Sequence, residues 1–162
     1  MDVRGRPAGT EDLAQLAELR RLLVADLAGR RGGPALASTL LGGESLADRL
    51  ARAVSGDACL LAGTLDGLVV GMASVTCAPG PPGSPGARTA VLDLLYVAPP
   101  ARRVGVATEL MASVARWGSE RGCADLDAPA LPGDRALKSF FEAHGLRARL
   151  LVLNGPMPDP GD

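Results

Sequence analysis

The stretch PPARRVGVATEL, Pro99 to Leu110, puts Arg102 and Arg103 just ahead of Gly105 and then turns to small and apolar residues at helical spacing. Such residues at the start of a helix suit the binding of an anion. The first N–H groups of a helix have no acceptor within it, and they carry the positive end of its dipole. Gly105 and Ala107 keep side chains out of the approach, while Arg102 and Arg103 offer forked donors that match phosphate oxygens. The turn therefore suits a diphosphate. It carries neither the G-x-x-x-x-G-K-S/T nor the G-x-G-x-x-G pattern, so both common nucleotide turns are absent. The competing reading is a glycine-containing turn whose arginines are solvated.

A second chemical candidate is Asp93, a carboxylate inside the apolar run TAVLDLLYV, 89–97. Desolvation there would raise its pKa and fit it for work as a base. Strand alternation puts it on one face with Val91, Leu95 and Val97; its alternative is a carboxylate turned to solvent or to an arginine. Tyr96 falls on the other face as a core residue. His144, the only histidine, precedes Gly145 and reads as a surface or capping residue, and Lys138 as a solvated lysine within reach of a phosphate. Cys59, Cys77 and Cys123 are too few and too scattered for a disulfide framework, and none has the close spacing of a metal site, so no metal is expected. That usage fits a reducing compartment.

Positioning these groups falls to a regular series of elements. A strand over 2–6 stops at Pro7, and Thr10 is placed to cap a helix whose Leu16, Leu19, Leu23 and Leu27 bury one face. GRRGGPALAST breaks that helix. A shorter one follows from Ser45, with Leu46, Leu50 and Val54 apolar and Gly56 at its end. ACLLAGTLDGLVVGMASVTC reads as two strands joined at Asp66-Gly67, a pair that suits a type I′ turn because both central residues need positive φ. APGPPGSPGAR, 78–88, is a surface loop. After the strand 89–97, Pro99-Pro100 give way to a helix over 104–121. Its apolar face carries Ala107, Leu110, Met111, Val114 and Trp117, its polar face Glu109, Ser113, Arg116 and Glu120, and Gly122 caps it. CADLDAP is a short strand, Asp134 caps a helix that runs to His144, and LRARLLVL, 146–153, is a last strand. The order is β-α-α-β-β-β-α-β-α-β. Its strand, basic turn, helix and strand make a βαβ unit, with the turn at the carboxyl end of a strand, where α/β sheets bind ligands.

Composition limits what this site can serve. At 162 residues and 47% hydrophobic the chain is one ordinary domain, 1–153, followed by a disordered tail, 154–162. Aromatics make up 2%, so the core is built from Leu, Val and Ala. A net charge of −1 argues against a nucleic acid or an anionic membrane as partner. Lys138 is the single lysine beside 16 arginines, a bias that points to a GC-rich bacterial genome. The N-terminus lacks an apolar signal core, and no window approaches the ~18 apolar residues that span a bilayer, so a cytoplasmic protein is expected.

Arg102-Arg103-Val104-Gly105-Val106-Ala107 resembles the Q/R-x-x-G-x-G/A turn of the Gcn5-related N-acetyltransferases (GNAT), and LDLLYVAPPARRVGVATELM resembles that family's strand, turn and helix in order and spacing. DRALKSFFEAHGL, 134–146, looks like its second segment. The resemblance spans roughly 3 to 153 and is firmest over 91–146. It implies an α/β (α+β) fold: a mixed, strongly twisted six- to seven-stranded sheet flanked by about four helices, its fourth and fifth strands splayed to admit acetyl-CoA or another acyl-CoA as co-substrate. Pantetheine would pair with the backbone of Leu95, Tyr96 and Val97, and the pyrophosphate would rest on Arg102, Arg103, Val104, Gly105, Val106, Ala107 and Thr108. Asp134 and Phe141 would reach the cofactor from the second segment. An amine would attack the acyl carbonyl directly in a ternary complex, with Asp93 as base and strand N–H groups on the oxyanion.

Two departures stand out. A tyrosine that often protonates the leaving thiolate is replaced by Phe141, which reads equally as core; water can protonate a thiolate whose parent pKa is about 8.5. One strand, not two, follows the final helix, so part of the acceptor wall is missing or supplied by a partner chain. The implied activity is N-acetyl transfer to a primary amine of a small molecule or a protein, small molecule first. The alternative is a catalytically weak acetyl-CoA-binding or interaction module. A homodimer is compatible with the fold.

Overall fold

A computed structural model describes residues 1–41, 44–80 and 86–161. The elements are β1 (Val3–Pro7), α1 (Leu13–Ala28), α2 (Gly33–Leu41), α3 (Leu46–Ser55), β2 (Ala58–Leu65), β3 (Leu68–Pro79), β4 (Arg88–Val97), α4 (Val106–Glu120), β5 (Asp125–Asp127) and α5 (Arg135–Ala143), with 3-10 turns at Thr10–Asp12 and Pro99–Ala101. The sheet order is β1-β2-β3-β4-β5. Neighbours are antiparallel up to β4, and β4 runs parallel to β5, as a βαβ unit requires. No helix among the described residues is long and apolar enough to cross a membrane.

Two cores sandwich the sheet. On one face Leu16, Leu19, Leu23 and Leu27 of α1 and Leu46 of α3 cover Leu60, Met72, Leu94 and Tyr96. On the other, Val106, Leu110, Val114 and Trp117 of α4 cover Leu61, Ala73, Val75 and Leu92. Helix α4 lies so close to the sheet that a Cβ on Gly63 or Gly71 would come within 2.7 or 2.9 Å of Val106 Cγ1. At the Asp66-Gly67 turn both residues take positive φ, +48° and +83°, as the type I′ hairpin demands.

The register of β4 holds one irregularity. Val75 of β3 faces Leu92 and Ser74 faces Leu94, so Asp93 is the extra residue of a bulge. The bulge reverses alternation: Leu92 packs under α4 and Leu94 under α1. It also parts Asp93 from Leu95 and Val97, which pack on the α4 side, against the expected shared face.

Other expectations change for identifiable reasons. The sheet has five strands among the described residues, not six to seven, because 146–153 forms none. Ala128 and Pro129 end β5 after three residues, leaving too short an edge to template a ladder. Arg149 instead forks onto the Asp127 carboxylate. Leu150, Leu151, Val152 and Leu153 are left 73–84% exposed. The break GRRGGPALAST contains α2: Gly32 turns the chain at φ +75°, and Pro34 sits in the first helical turn, where no N–H is needed. There are thus five α-helices among the described residues rather than about four.

Thr10 caps nothing; the Asp12 carboxylate accepts the Gly9 N–H at 2.8 Å and receives both Nη atoms of Arg6. Val54 points to solvent, and Ser113 is buried beside β1, its hydroxyl donating to the Glu109 carbonyl at 3.0 Å. Residues 81–85 of the expected surface loop, residues 42–43 and Asp162 lie outside the described residues.

Candidate active site

The β4–β5 ladder is three pairs long, Thr89↔Asp125, Ala90↔Leu126 and Val91↔Asp127. Beyond Val91, β4 continues for six residues with no strand beside it on that edge among the described residues. The gap opens into a cavity of about 470 Å³ that runs along Leu92–Val97, reaches α1 at one end and the 102–103 turn at the other, and has Phe140 and Phe141 as its wall. A second cavity of about 310 Å³ adjoins it, lined by Arg102, Arg103, Gly105, Ala107, Thr108 and Phe140 among others.

The turn between them is built to present backbone donors. Arg103, at φ +67°, and Gly105, at φ +98°, both take the left-handed conformation, which is costly for arginine and easy for glycine. No side chain caps α4. Its first helical bond runs from Glu109 N–H to the Gly105 carbonyl at 3.0 Å, so the N–H groups from Arg103 to Thr108 have no backbone acceptor among the described residues. The two arginines divide the work. Arg102 Nε donates to the Val97 carbonyl at 2.9 Å and its guanidinium lies 5.6 Å over the Tyr96 ring, bracing the turn against β4. Arg103 is exposed and makes no hydrogen bond or ion pair among the described residues, so its charge is available to a ligand.

Deeper in the larger cavity, Asp93 stands on its bulge with its side chain 22% exposed. Arg49 Nη1 of α3 approaches its oxygens at 3.4 and 3.5 Å and bonds the Ser74 hydroxyl at 2.8 Å. Burial pushes the Asp93 pKa above the ordinary carboxylate value, against the opposing pull of Arg49 and Ser74. The carboxylate is thus the partner of an arginine, as the alternative reading had it.

Leu95, Tyr96, Val97, Ala107, Asp134 and Phe141 line that same cavity, with Arg102 and Arg103. Val104 and Val106 do not: Val106 is 1% exposed and both pack into the α4 core, leaving only their backbone toward the turn. Asp134 is occupied structurally. It accepts the Leu137 N–H at 3.1 Å as the cap of α5 and meets Arg30 Nη1 at 3.3 Å. Phe141, 6% exposed, belongs to the α4-side core and lines the cavity, its ring centroid 5.9 Å from that of Phe140. The Tyr96 ring is buried under α1, and burial raises its hydroxyl pKa. His144 Nδ1 sits 2.8 Å from the Phe140 carbonyl at the end of α5, and Lys138 pairs with Glu142 at 3.5 Å; neither lines a cavity described here.

Three lining residues carry no clear signal in the sequence. Phe140 was legible only as half of a Phe-Phe pair. Asp26 and Arg30 lie one turn apart on α1, paired at 3.4 Å, and Arg30 bridges to Asp134 across the cavity. Nothing local distinguishes that pair from the surface pair Glu18–Arg21 of the same helix.

Comparisons with known proteins agree with this geometry. A sequence model of the Acetyltransferase (GNAT) family matches residues 36–146. No curated protein matches the chain in sequence. Among solved structures, AAC(6')-Iy in complex with a CoA-containing bisubstrate analog superposes with a TM-score of 0.68 at 20% identity, covering 98% of this chain and 100% of that one. A Trypanosoma brucei acetyltransferase gives 0.70 at 19% identity, with 96% and 100% covered. A ribosomal-protein-alanine N-acetyltransferase from Brucella melitensis biovar Abortus gives 0.67 at 22%, with 97% and 100% covered. The family match takes in the splayed strands, the basic turn and α5 together, and the chain belongs to the GNAT acetyltransferase family.

Proposed function

We propose that the protein is an acetyl-CoA-dependent N-acetyltransferase acting on a primary amine of a small molecule. The observation that carries this reading is the early end of the β4–β5 ladder. It leaves one continuous space from the unpaired N–H groups of α4 to the Asp93 carboxylate. The pyrophosphate rests on the N–H groups of 103–108 with Arg103 as its counter-charge, and pantetheine follows the free edge of β4 at Leu95–Val97. Asp93 takes a proton from the incoming ammonium, directly or through water, and the neutral amine attacks the acetyl carbonyl. The C–N bond forms, β4 N–H groups stabilise the oxyanion, the nitrogen gives its second proton to water, the C–S bond breaks, and the departing thiolate takes a proton from water, since Phe141 has no proton to give.

The fold accommodates both kinds of acceptor, for AAC(6')-Iy is an aminoglycoside acetyltransferase and the Brucella protein a ribosomal-protein-alanine one. In this chain Asp26, Asp93 and Asp134 face the cavity, but Arg30 and Arg49 already pair with them, which favours a single amine over a polycation. Phe141 favours a second reading, a catalytically weak binder of acetyl-CoA. Calorimetry with acetyl-CoA tests what both share: micromolar binding is expected, and it is expected to vanish in an Arg103→Glu, Gly105→Asp double variant. Absence of binding by the intact chain would refute both. Thiol release with a panel of primary amines then separates them, since turnover belongs to the first alone.

A further inference from the structure

Cys77 and Cys123 are far apart in the chain and adjacent in the fold, Sγ to Sγ at 3.0 Å. Neither sulfur owes its place to a loose segment. Cys77 lies toward the end of β3, opposite Ala90 of β4, and its N–H donates to the Asp57 carbonyl at 3.2 Å. Cys123 follows the Gly122 cap of α4, with its N–H on the Gly118 carbonyl at 3.0 Å. Ala124, the next residue, donates to the Arg88 carbonyl at 2.9 Å. Backbone bonds thus fix the chain around both thiols, and their sulfurs already stand about 1 Å beyond the S–S bond length of about 2.05 Å. Both residues are half-buried and can be reached from solvent, whereas Cys59 is buried in the core.

We propose that Cys77 and Cys123 form a reversible intramolecular disulfide, a modification site whose co-reactant is a low-molecular-weight disulfide such as oxidised glutathione. One protein thiol loses its proton, and its thiolate attacks a glutathione sulfur; a mixed disulfide forms and one glutathione thiolate leaves. The second protein thiolate attacks the protein sulfur of that mixed disulfide and expels the second glutathione. The two protons end on the two glutathione thiols. The protein dithiol is oxidised by two electrons and the glutathione disulfide reduced by two. Burial first and Cys77 second hold the Cys123 thiol up at about 11, while Arg88 and Arg121 favour its thiolate. The exchange therefore speeds up as pH rises.

The bond would join β3 to the α4–β5 connection beside the three-pair ladder at Thr89–Val91, at the closed end of the gap and away from the 102–105 turn. A cross-link there is expected to raise Tm by about 5–10 °C.

The test treats the purified full chain with oxidised glutathione, alkylates it under denaturing conditions and maps its peptides. The expected product has one alkylated thiol, Cys59, a mass lower by two hydrogens, a peptide joining 77 to 123, and the raised Tm, all reversed by dithiothreitol. A Cys123→Ala variant should stop at a glutathione adduct on Cys77. Three alkylatable thiols after treatment, a stable glutathione adduct on the unaltered chain, or bonds to Cys59 or to a second chain would each overturn the proposal. The thiol count and peptide map do not depend on acetyl transfer, so they stand apart from any outcome on that activity.

Discussion

Burial raises the pKa of the Asp93 carboxylate, and the bulge it occupies turns it toward Arg49 and away from the face of Leu95. Asp93→Asn is expected to lower kcat by about 10²–10⁴, the usual yield of a general base, with the acetyl-CoA Kd unchanged. The acid limb of kcat/KM should lie above the ordinary carboxylate value of about 3.9. Removing Arg49 as Arg49→Met takes away a charge that favours the anion, so the limb should move further up; a limb that stays put in the pH–rate profile would exclude Asp93 as the titrating group. Asp12 behaves oppositely. Its fork from Arg6 lowers its pKa, so the native state gains from the ionised form, a gain complete above the unfolded pKa and lost as pH falls through the folded one. Asp12→Asn should cost roughly 2 kcal/mol by urea denaturation at pH 7, and the difference from the parent should shrink below about pH 4.

Among the elements, α4 joins stability to function. Leu110, Val114 and Trp117 hold it on the sheet, and Gly63 and Gly71 let its first turn touch β2 and β3, so the uncapped N–H groups are fixed in direction before any ligand arrives. Leu110→Ala is expected to lower the unfolding free energy by about 3 kcal/mol, the common cost of emptying a fully buried leucine site. The same variant should weaken acetyl-CoA binding less than the turn variants do, a comparison calorimetry can make. The helix was legible because apolar residues at i, i+3, i+4 and i+7 need only local geometry. Its one misassigned position had a tertiary cause: Ser113, expected on the polar face, is buried because Gly5 of β1 leaves room for it.

In the molecule as a whole, the edge beyond β5 is where the expected sheet and the observed one part. LRARLLVL has the composition of a strand covered on both faces, yet Leu150 to Leu153 face solvent beside a three-residue edge. Contiguous exposed apolar side chains promote association. Concentration-dependent self-association is therefore expected in sedimentation velocity, and a Leu151→Glu, Leu153→Glu variant should abolish it; equal behaviour of the two proteins would show that the run draws no second copy. The chain then has one face of its sheet given to α1 and α3, one to α4 and α5, and an edge that remains to be covered.

Periodicity, turn chemistry and the order of elements were local properties, and they carried the reading through the Asp66-Gly67 hairpin, the βαβ unit and the basic turn, because each depends on residues within a few positions of one another. What local pattern could not supply was set by contacts across the chain. The bulge at Asp93 depends on the register with Ser74 and Val75, the meeting of Cys77 and Cys123 on how α4 packs back on the sheet, and the Asp26–Arg30–Asp134 bridge on α1 and α5 approaching one cavity from opposite sides. The fate of 146–153 follows the same rule. Its apolar content allows a strand, but a ladder needs a neighbour of sufficient length, and β5 ends before it can provide one.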